Sequence, residues 1–524
     1  MGRRLDTWCD TTLSRRALLI KGGTALCGLP LLGLEGSGAG RRLTRFEAPP
    51  FGLGVSSGDP TNDGVVLWTR VLGAGMDPAE LAQSRVDVTW EIADDERLSK
   101  VVKRGVATAA PEWGHSIHVE ANGLDADRWY WYRFRAGDAF SSTGRTRTLP
   151  RAGQAATQLR FAFCSCQHYE QGLFTPYRHM SEEDLDLIFH LGDYIYEGPG
   201  AANRVRQHAG TELLTLDDYR KRYAQYRTDP DLQAAHAACP WFVTWDDHEV
   251  DNNYANAVSE RDDPREIFLM RRAAAYQAYY ENMPLRRSSM PQGPSMRLYR
   301  GFSYGTLSSF FVLDTRQYRS NQPCGDGRKA PCPEVFDPKA TLLGPEQERW
   351  LFQQLDRSRT RWNMLPQQVM MARVDQTGGP EESYSMDQWS GYDADRTRVL
   401  EFLAKRRPSN PVVLTGDIHS NWVNDLKVDF RDRASPIVAT ELVGTSISSG
   451  GDGVDVQPRT PEILAENPFV KFYNSQRGYV SCELTPTSLS ARYRIVDYVS
   501  RAGAPKRTRA SFVVEDGKPG AVRV

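Results

Sequence analysis

From residue 45 to about 150, apolar and polar positions alternate one by one. Gly64-Val65-Val66-Leu67-Trp68-Thr69-Arg70, Val86-Asp87-Val88-Thr89-Trp90-Glu91 and Trp129-Tyr130-Trp131-Tyr132-Arg133-Phe134-Arg135 are rich in β-branched and aromatic residues, and turn clusters such as Gly58-Asp59-Pro60 and Asn62-Asp63-Gly64 lie near or between them. The pattern predicts a small antiparallel β-sandwich over 45–152, followed by a linker, Arg151-Ala152-Gly153-Gln154-Ala155-Ala156. Beyond it the period changes. Short strand-like runs at 159–163, 185–191, 241–245, 310–313, 364–371 and 412–415 alternate with stretches at 215–226 and 266–280 whose apolar residues recur every three or four positions, which predicts an α/β domain over 157–524. Residues 478–484 and 489–496 read as a closing antiparallel pair, and the Arg- and Lys-rich segment after Val496 as a solvated tail, with a cover over the site as the alternative.

The first forty residues follow neither pattern. Ser14-Arg15-Arg16-Ala17-Leu18-Leu19 opens an apolar, glycine-containing run to Leu34, followed by small residues from Gly36 to Gly40, as in a twin-arginine export signal that hands a folded protein to the export machinery. A membrane anchor is the competing reading, but Lys21 and the glycines interrupt the run, and no later segment reaches the roughly 20 apolar residues of a membrane helix. A periplasmic or secreted, soluble, monomeric mature chain is expected. The net charge of −1 over 524 residues and the lack of a basic, aromatic-interleaved stretch argue against a nucleic-acid partner. In an oxidising compartment Cys324 and Cys332, in a Pro/Gly-rich loop, suit a small disulfide. Cys239 and Cys482 read as buried small hydrophobes.

The chemistry collects where strands end. Phe161-Ala162-Phe163 runs into Cys164-Ser165-Cys166-Gln167, and Phe189-His190-Leu191 into Gly192-Asp193-Tyr194-Ile195-Tyr196-Glu197. In the same way Phe242-Val243-Thr244-Trp245 runs into Asp246-Asp247-His248-Glu249, and Val412-Val413-Leu414 into Thr415-Gly416-Asp417-Ile418-His419. One carboxylate past a strand is commonly a helix cap. Four clusters of Asp, His, Tyr and Cys at strand C-terminal ends, where α/β sheets gather ligands, point to a multinuclear metal site.

Gly-Asp-x-x-Tyr, Asp-His-Glu and Gly-x-x-His, in that order, resemble the metal-binding blocks of the calcineurin-like and purple acid phosphatases. Here Cys-Ser-Cys stands where those families offer Asp, Asp247 replaces an Asn, Asp417 replaces a His, and no histidine lies between His248 and His419. These departures, with Phe51-Gly52-Leu53-Gly54-Val55-Ser56-Ser57-Gly58-Asp59-Pro60 and Val66-Leu67-Trp68-Thr69-Arg70, are similar to the PhoD-type alkaline phosphatase and phosphodiesterase family over nearly the whole mature chain. The resemblance implies a metallophosphoesterase-type αββα sandwich behind a fibronectin- or Ig-like β domain, a ferric iron and calcium cofactor pair, and a phosphate ester substrate.

Coordination chemistry agrees with it. Cys166, Asp193, Tyr196 and His419 form a mixed anionic set suited to ferric iron, while Asp193 as a bridge with Asp247 and Asp417 offers the hard oxygens that calcium favours over magnesium or manganese. For Cys166 the competing role is a redox or structural thiol, for Tyr196 a packed tyrosine, and for His248 a structural histidine. The mechanism expected is in-line attack on phosphorus by a metal-activated hydroxide, with His248 stabilising the transition state or protonating the leaving oxygen, and Asp246 and Glu249 orienting ligands. Arg271, Arg272 and Arg316 are candidate anion contacts, with surface or ion-pair residues as an equal reading. A phospholipase D-like diesterase, a metal-stabilised binding protein and a dinuclear nuclease are the rival readings, in that order.

Overall fold

The computed structural model describes residues 46, 49–72 and 83–524, so the export-signal reading of residues 1–40 lies outside the described residues. Two large mixed sheets dominate the chain. One has ten strands; its centre is the parallel trio Leu159–Cys164, Leu187–His190 and Trp241–Val243. The other has eight, with Ser308–Val312, Trp362–Pro366, Pro411–Thr415 and Ile437–Val443 running parallel. These strands are buried on both faces, which is why they read as nearly unbroken apolar runs.

Between the sheets lies one apolar core, where Phe161, Phe163, Phe189 and Phe242 meet Phe310, Met364, Val412 and Leu442. The outer face of the ten-stranded sheet is covered by helices Thr175–Ser181, Leu216–Arg227, Pro230–Ala238 and Arg265–Asn282. The outer face of the eight-stranded sheet is covered by Gly344–Arg357 and Asp393–Arg406. The two helices expected from periodicity are present within two residues of their expected ends. Thr215 starts the first with a capping box, its hydroxyl accepting from the Asp218 N–H while the Asp218 carboxylate accepts from the Thr215 N–H at 2.9 Å. None of the described helices is long and apolar enough to cross a membrane.

Three features differ from the sequence reading. The N-terminal sandwich is not self-contained: Val55–Gly58, Gly64–Arg70 and Ser116–Asn122 belong to the ten-stranded sheet, joined to it where Gly58 pairs in parallel with Trp241. Among the described residues only the five-stranded sheet built on Val86–Ala93 and Trp129–Ala136 is private to this region, and the core between the two includes Val65, Leu67, Val88 and Tyr132. The run at 364–371 stops being a strand at Pro366.

The C-terminal segment is neither tail nor cover. Lys506–Glu515 pairs with Ser488–Val496, and Val522–Arg523 pairs with it in turn at the end of the ten-stranded sheet. Its inward residues Ala510, Phe512 and Val514 are buried, and the basic opening Lys506-Arg507-Thr508-Arg509 concealed the strand. Glu183, just after the Thr175–Ser181 helix, clamps this region: its carboxylate accepts from Tyr479 Oη at 2.8 Å, Ser481 Oγ at 2.7 Å and Lys506 Nζ at 3.0 Å, with Arg494 Nε at 3.1 Å. Burial raises its pKa, but those donors together outweigh burial and hold it below the usual 4.5.

A group whose folded pKa is depressed stabilises above its unfolded pKa and loses that contribution as the pH falls through the folded value. Glu183→Gln should therefore cost about 1 to 2 kcal/mol at pH 7. In urea unfolding followed from pH 7 to pH 3, the gap between variant and wild type should close below about pH 4.5.

Candidate metal centre

Because the two sheets face each other, their parallel strands deliver loops to a common edge. Residues 164–166, 190–197 and 243–249 come from one sheet and 415–419 from the other, stitched by a parallel bridge between Ser165 and Ser446 and by the Cys166 N–H on the Gly192 carbonyl at 3.1 Å. The approach is close. A Cβ on Gly192, which has φ +109°, would lie 2.4 Å from Asp246 Cβ, and one on Gly416 2.6 Å from Ser165 Oγ. Cys166, Asp193, Asp417 and His419 all have φ between 56° and 63°, the left-handed region that costs non-glycine residues about 1 kcal/mol or more each. The surrounding contacts hold this strain at four residues from three loops.

Two groups of donor atoms result, and each is compact enough that its atoms lie within 4.8 Å of one another: Cys166, Asp193 and His419 in the first, Asp193, Asp247 and His248 in the second. Asp193 belongs to both. Its Oδ2 accepts from Tyr196 Oη at 2.9 Å, while its Oδ1 is buried without a hydrogen-bond partner among the described residues. The Tyr196 hydroxyl also lies 3.3 Å from His419 Nε2 and 2.7 Å from Ser449 Oγ, and its ring is flanked by His168 and His248 at centroid distances of 4.3 and 4.2 Å. Asp417 stands at the rim, its Oδ2 accepting from Gln388 Nε2 at 3.1 Å. His248 enters the second donor group, and its Nδ1 contacts Glu197 Oε2 at 2.7 Å.

The charges fit cation binding. Burial, then neighbouring anions, pushes the Cys166 thiol and Tyr196 phenol well above their usual pKa values. Burial likewise raises Asp193, with His248 opposing and Asp247 adding to the rise, and lifts Asp417 to about 6. His419 falls to about 3 by burial, so its imidazole is neutral and its lone pair available. Burial would lower His248 too, but Glu197, Asp247 and Asp193 outweigh it and keep it protonated. A buried carboxylate oxygen without a hydrogen bond, at the junction of sulfur, nitrogen, phenol and carboxylate donors, fits a bridging metal ligand.

Of the residues around this site, Glu249 was expected to orient ligands and three arginines to contact an anion, while Ser449 and Arg477 were not singled out in the sequence. Glu249 accepts from the Asp193 N–H at 3.1 Å, the Asp246 N–H at 2.8 Å and the Tyr194 N–H, locking two loops together. Arg316 is not a free anion contact: fully buried, it donates to Asp246 Oδ1 and to Asp387 Oδ1 at 2.8 Å, and its Nη2 lies 3.7 Å from both Asp247 Oδ1 and Asp417 Oδ1. Arg271 and Arg272 are likewise committed, to Asp251 at 2.8 Å and to Asn256. Arg477, buried under His419, donates to the His419 carbonyl at 2.8 Å and the Ser449 carbonyl at 2.7 Å. Ser449 and Arg477 lie far along the chain from any motif, so spacing carried no signal for them. Of the remaining cysteines, Cys164 is a buried free thiol whose Sγ lies 3.7 Å from Tyr177 Oη, and Cys324 and Cys332 form a disulfide.

Fold, site and relatives together make the chain a phosphoric ester hydrolase. Residues 161–493 match the family described as PhoD-like phosphatase, and residues 38–150 match the PhoD-like phosphatase N-terminal domain. The chain belongs to the PhoD-like phosphatase family. Among relatives, alkaline phosphatase D of Bacillus subtilis (strain 168) is 49% identical over 529 residues, covering 99% of this chain and 90% of that protein. A solved structure of PhoD superposes with a TM-score of 0.89 at 51% identity, covering 92% of this chain and 93% of the other. The substrate is accordingly a phosphate ester, and the family's metal dependence agrees with the donor groups described above.

Removing the Arg316 charge would leave Asp246 buried without its counter-ion and Asp387 with Arg319 alone. Arg316→Met should destabilise the protein by about 3 to 5 kcal/mol in denaturant unfolding. A loss below about 1 kcal/mol would show that the carboxylates are balanced by other groups.

Proposed function

We propose that the protein is an exported alkaline phosphatase that hydrolyses phosphate monoesters, and diesters with them, at a ferric iron and calcium site. The observation that carries the proposal is the position of Asp193 in both donor groups with one carboxylate oxygen buried and unpartnered. Cys166, Asp193, Tyr196 and His419 would hold the iron; Asp193, Asp247 and Asp417 would hold the calcium. Bound there, the cations would acidify a water to serve as nucleophile and would set positive charge against the phosphoryl oxygens.

The remaining work falls to the chain itself. With Glu197 engaged at Nδ1 of a protonated ring, His248 has its Nε2 proton to give to the departing oxygen. Ser449 holds the Tyr196 hydroxyl and the Cys166 carbonyl, at 2.7 Å each, so the phenol and the thiol-bearing loop keep a common orientation. Glu249 and Arg316 fix the loops carrying Asp193 and Asp247.

The helix-covered pair of facing sheets supports reading the fold as a metallophosphoesterase-type αββα sandwich over 157–524, behind an Ig-like β domain over 45–152 that lends three strands to it. The Arg15-Arg16 segment supports twin-arginine export of a folded, metal-loaded monomer to the periplasm or beyond.

The test is metal analysis of the protein purified after export, with hydrolysis of an aryl phosphomonoester set against the matching diester. Chelator-sensitive turnover that favours the monoester, with iron and calcium both present, is the expected result; a marked preference for the diester would shift the reading to the phospholipase D-like one. Asp193→Asn should lose both metals. His248→Ala should retain them and lose about 100-fold or more in turnover, whereas loss of metal from that variant would make His248 a ligand.

A further inference from the structure

His419, a member of the first donor group, also lines a cleft of about 610 Å³. Its lining holds three arginines, Arg328, Arg459 and Arg477, and no aspartate or glutamate, in a chain whose acidic and basic residues otherwise balance at 66 to 65. Trp422 and Tyr473 meet edge to face at 4.6 Å along one wall, and Ile463 adds apolar surface. A pocket of this composition suits an organic group that is partly flat or apolar and bears negative charge.

The three arginines stand in different states. Arg477 is buried at 4% exposure, spends its Nη groups on the His419, Ser449 and Ser475 carbonyls and on Ser446 Oγ, and has no carboxylate within 4.0 Å among the described residues. Its charge is therefore a fixed positive background at the base of the cleft. Arg459 has a mobile partner at most: Glu462 lies 3.8 Å away, and both side chains are more than 60% exposed, so the pair contributes little and can be exchanged for a ligand anion. Arg328 is carried on a short strand paired with Ser385. That two-stranded ribbon is braced by the Cys324–Cys332 disulfide packed with Val335, Tyr384 and Met386.

We infer that this cleft receives the leaving group of the ester and selects for one that carries a further negative charge, with Arg459 and Arg328 as the specificity-determining residues. The inference rests on the hydrolytic site proposed above, since it takes the scissile phosphoryl group to sit at the two donor groups and the leaving group to point past His419. The class of substrate is a phosphate ester of an anionic alcohol or phenol, one bearing a carboxylate or a second phosphate. Arg477 belongs to the metal surroundings and is left unchanged in the test.

The probes are 4-carboxyphenyl phosphate and 4-carbamoylphenyl phosphate, whose leaving groups match in shape and differ in charge. The ratio of their kcat/KM values is compared among metal-loaded wild type, Arg459→Gln, Arg328→Gln, the double variant and Arg459→Glu, with iron and calcium measured in each. Intrinsic reactivity cancels in that comparison. The double variant should lower the carboxylate-to-carboxamide ratio by about fivefold, Arg459→Glu should lower it further than Arg459→Gln, and the wild-type preference should shrink as salt rises above about 0.15 M. A ratio that stays at the wild-type value in the double variant and in Arg459→Glu, with turnover and metals intact, overturns the subsite alone. Failure of fully metallated wild type to hydrolyse either ester would remove the hydrolytic reading and the subsite together.

Discussion

Charge neutrality in a buried volume governs this molecule. Asp193, Asp246, Asp247, Asp387, Glu197 and Glu249 are all buried around the site, against the buried Arg316, Arg319 and Arg477 and the half-buried, protonated His248. Ionised carboxylates cannot be left in such a place without partners; they must bind protons or cations. The protein settles half of the problem with its own arginines, since Arg316 and Arg319 converge on Asp387 and Arg316 reaches Asp246. The other half is centred on Asp193, where burial pushes Asp193, Cys166 and Tyr196 upward, with nearby anions adding to the rise.

That arrangement requires an unusually rigid frame. Two sheets packed through one aromatic core set the distance between the loops that carry Asp193 and Asp417, and Cys166, Asp193, Asp417 and His419 occupy a left-handed backbone conformation that only dense surrounding contacts can maintain. The N-terminal strands take part in the frame. Trp68 donates to the Glu281 carbonyl, and the fully buried Arg227 stacks 4.1 Å from the Trp68 ring while donating to the Asn282 carbonyl, so the β region is bonded to the helix behind the site. Its sharing of a sheet with the α/β region follows from the same close contact.

On the solvent side the design is different. The loops around 321–343 and 376–391 carry little regular structure, and a disulfide and a small cluster of side chains stand in for a core. One face of this assembly sends Asp387 and Gln388 inward to Arg316 and Asp417, and the other presents Arg328 to the cleft beside His419. The same ribbon thereby ties the carboxylate side of the centre to the surface where a substrate's organic group would lie.

By itself the sequence determined the elements and the chemistry at their ends. Fully buried parallel strands are short apolar runs and end abruptly, so Cys166, Asp193, Tyr196, Asp247, His248, Asp417 and His419 stood out as polar groups at apolar boundaries, and the alternation before residue 150 announced β structure. What depended on side chains meeting across long separations was decided only by the tertiary structure. Linear spacing contains no signal that Arg316 is a buried counter-ion rather than a free arm, that Ser449 and Arg477 brace Tyr196 and His419, that Glu197 faces His248, or that Gly58 and Trp241 merge two regions into one sheet. Nor did the C-terminal segment look like a strand, because it opens on the basic residues Lys506, Arg507 and Arg509 and its buried positions, Ala510, Phe512 and Val514, are few. Local periodicity records which face of an element is buried; the partner that covers it, and the charge that balances it, are properties of the folded chain.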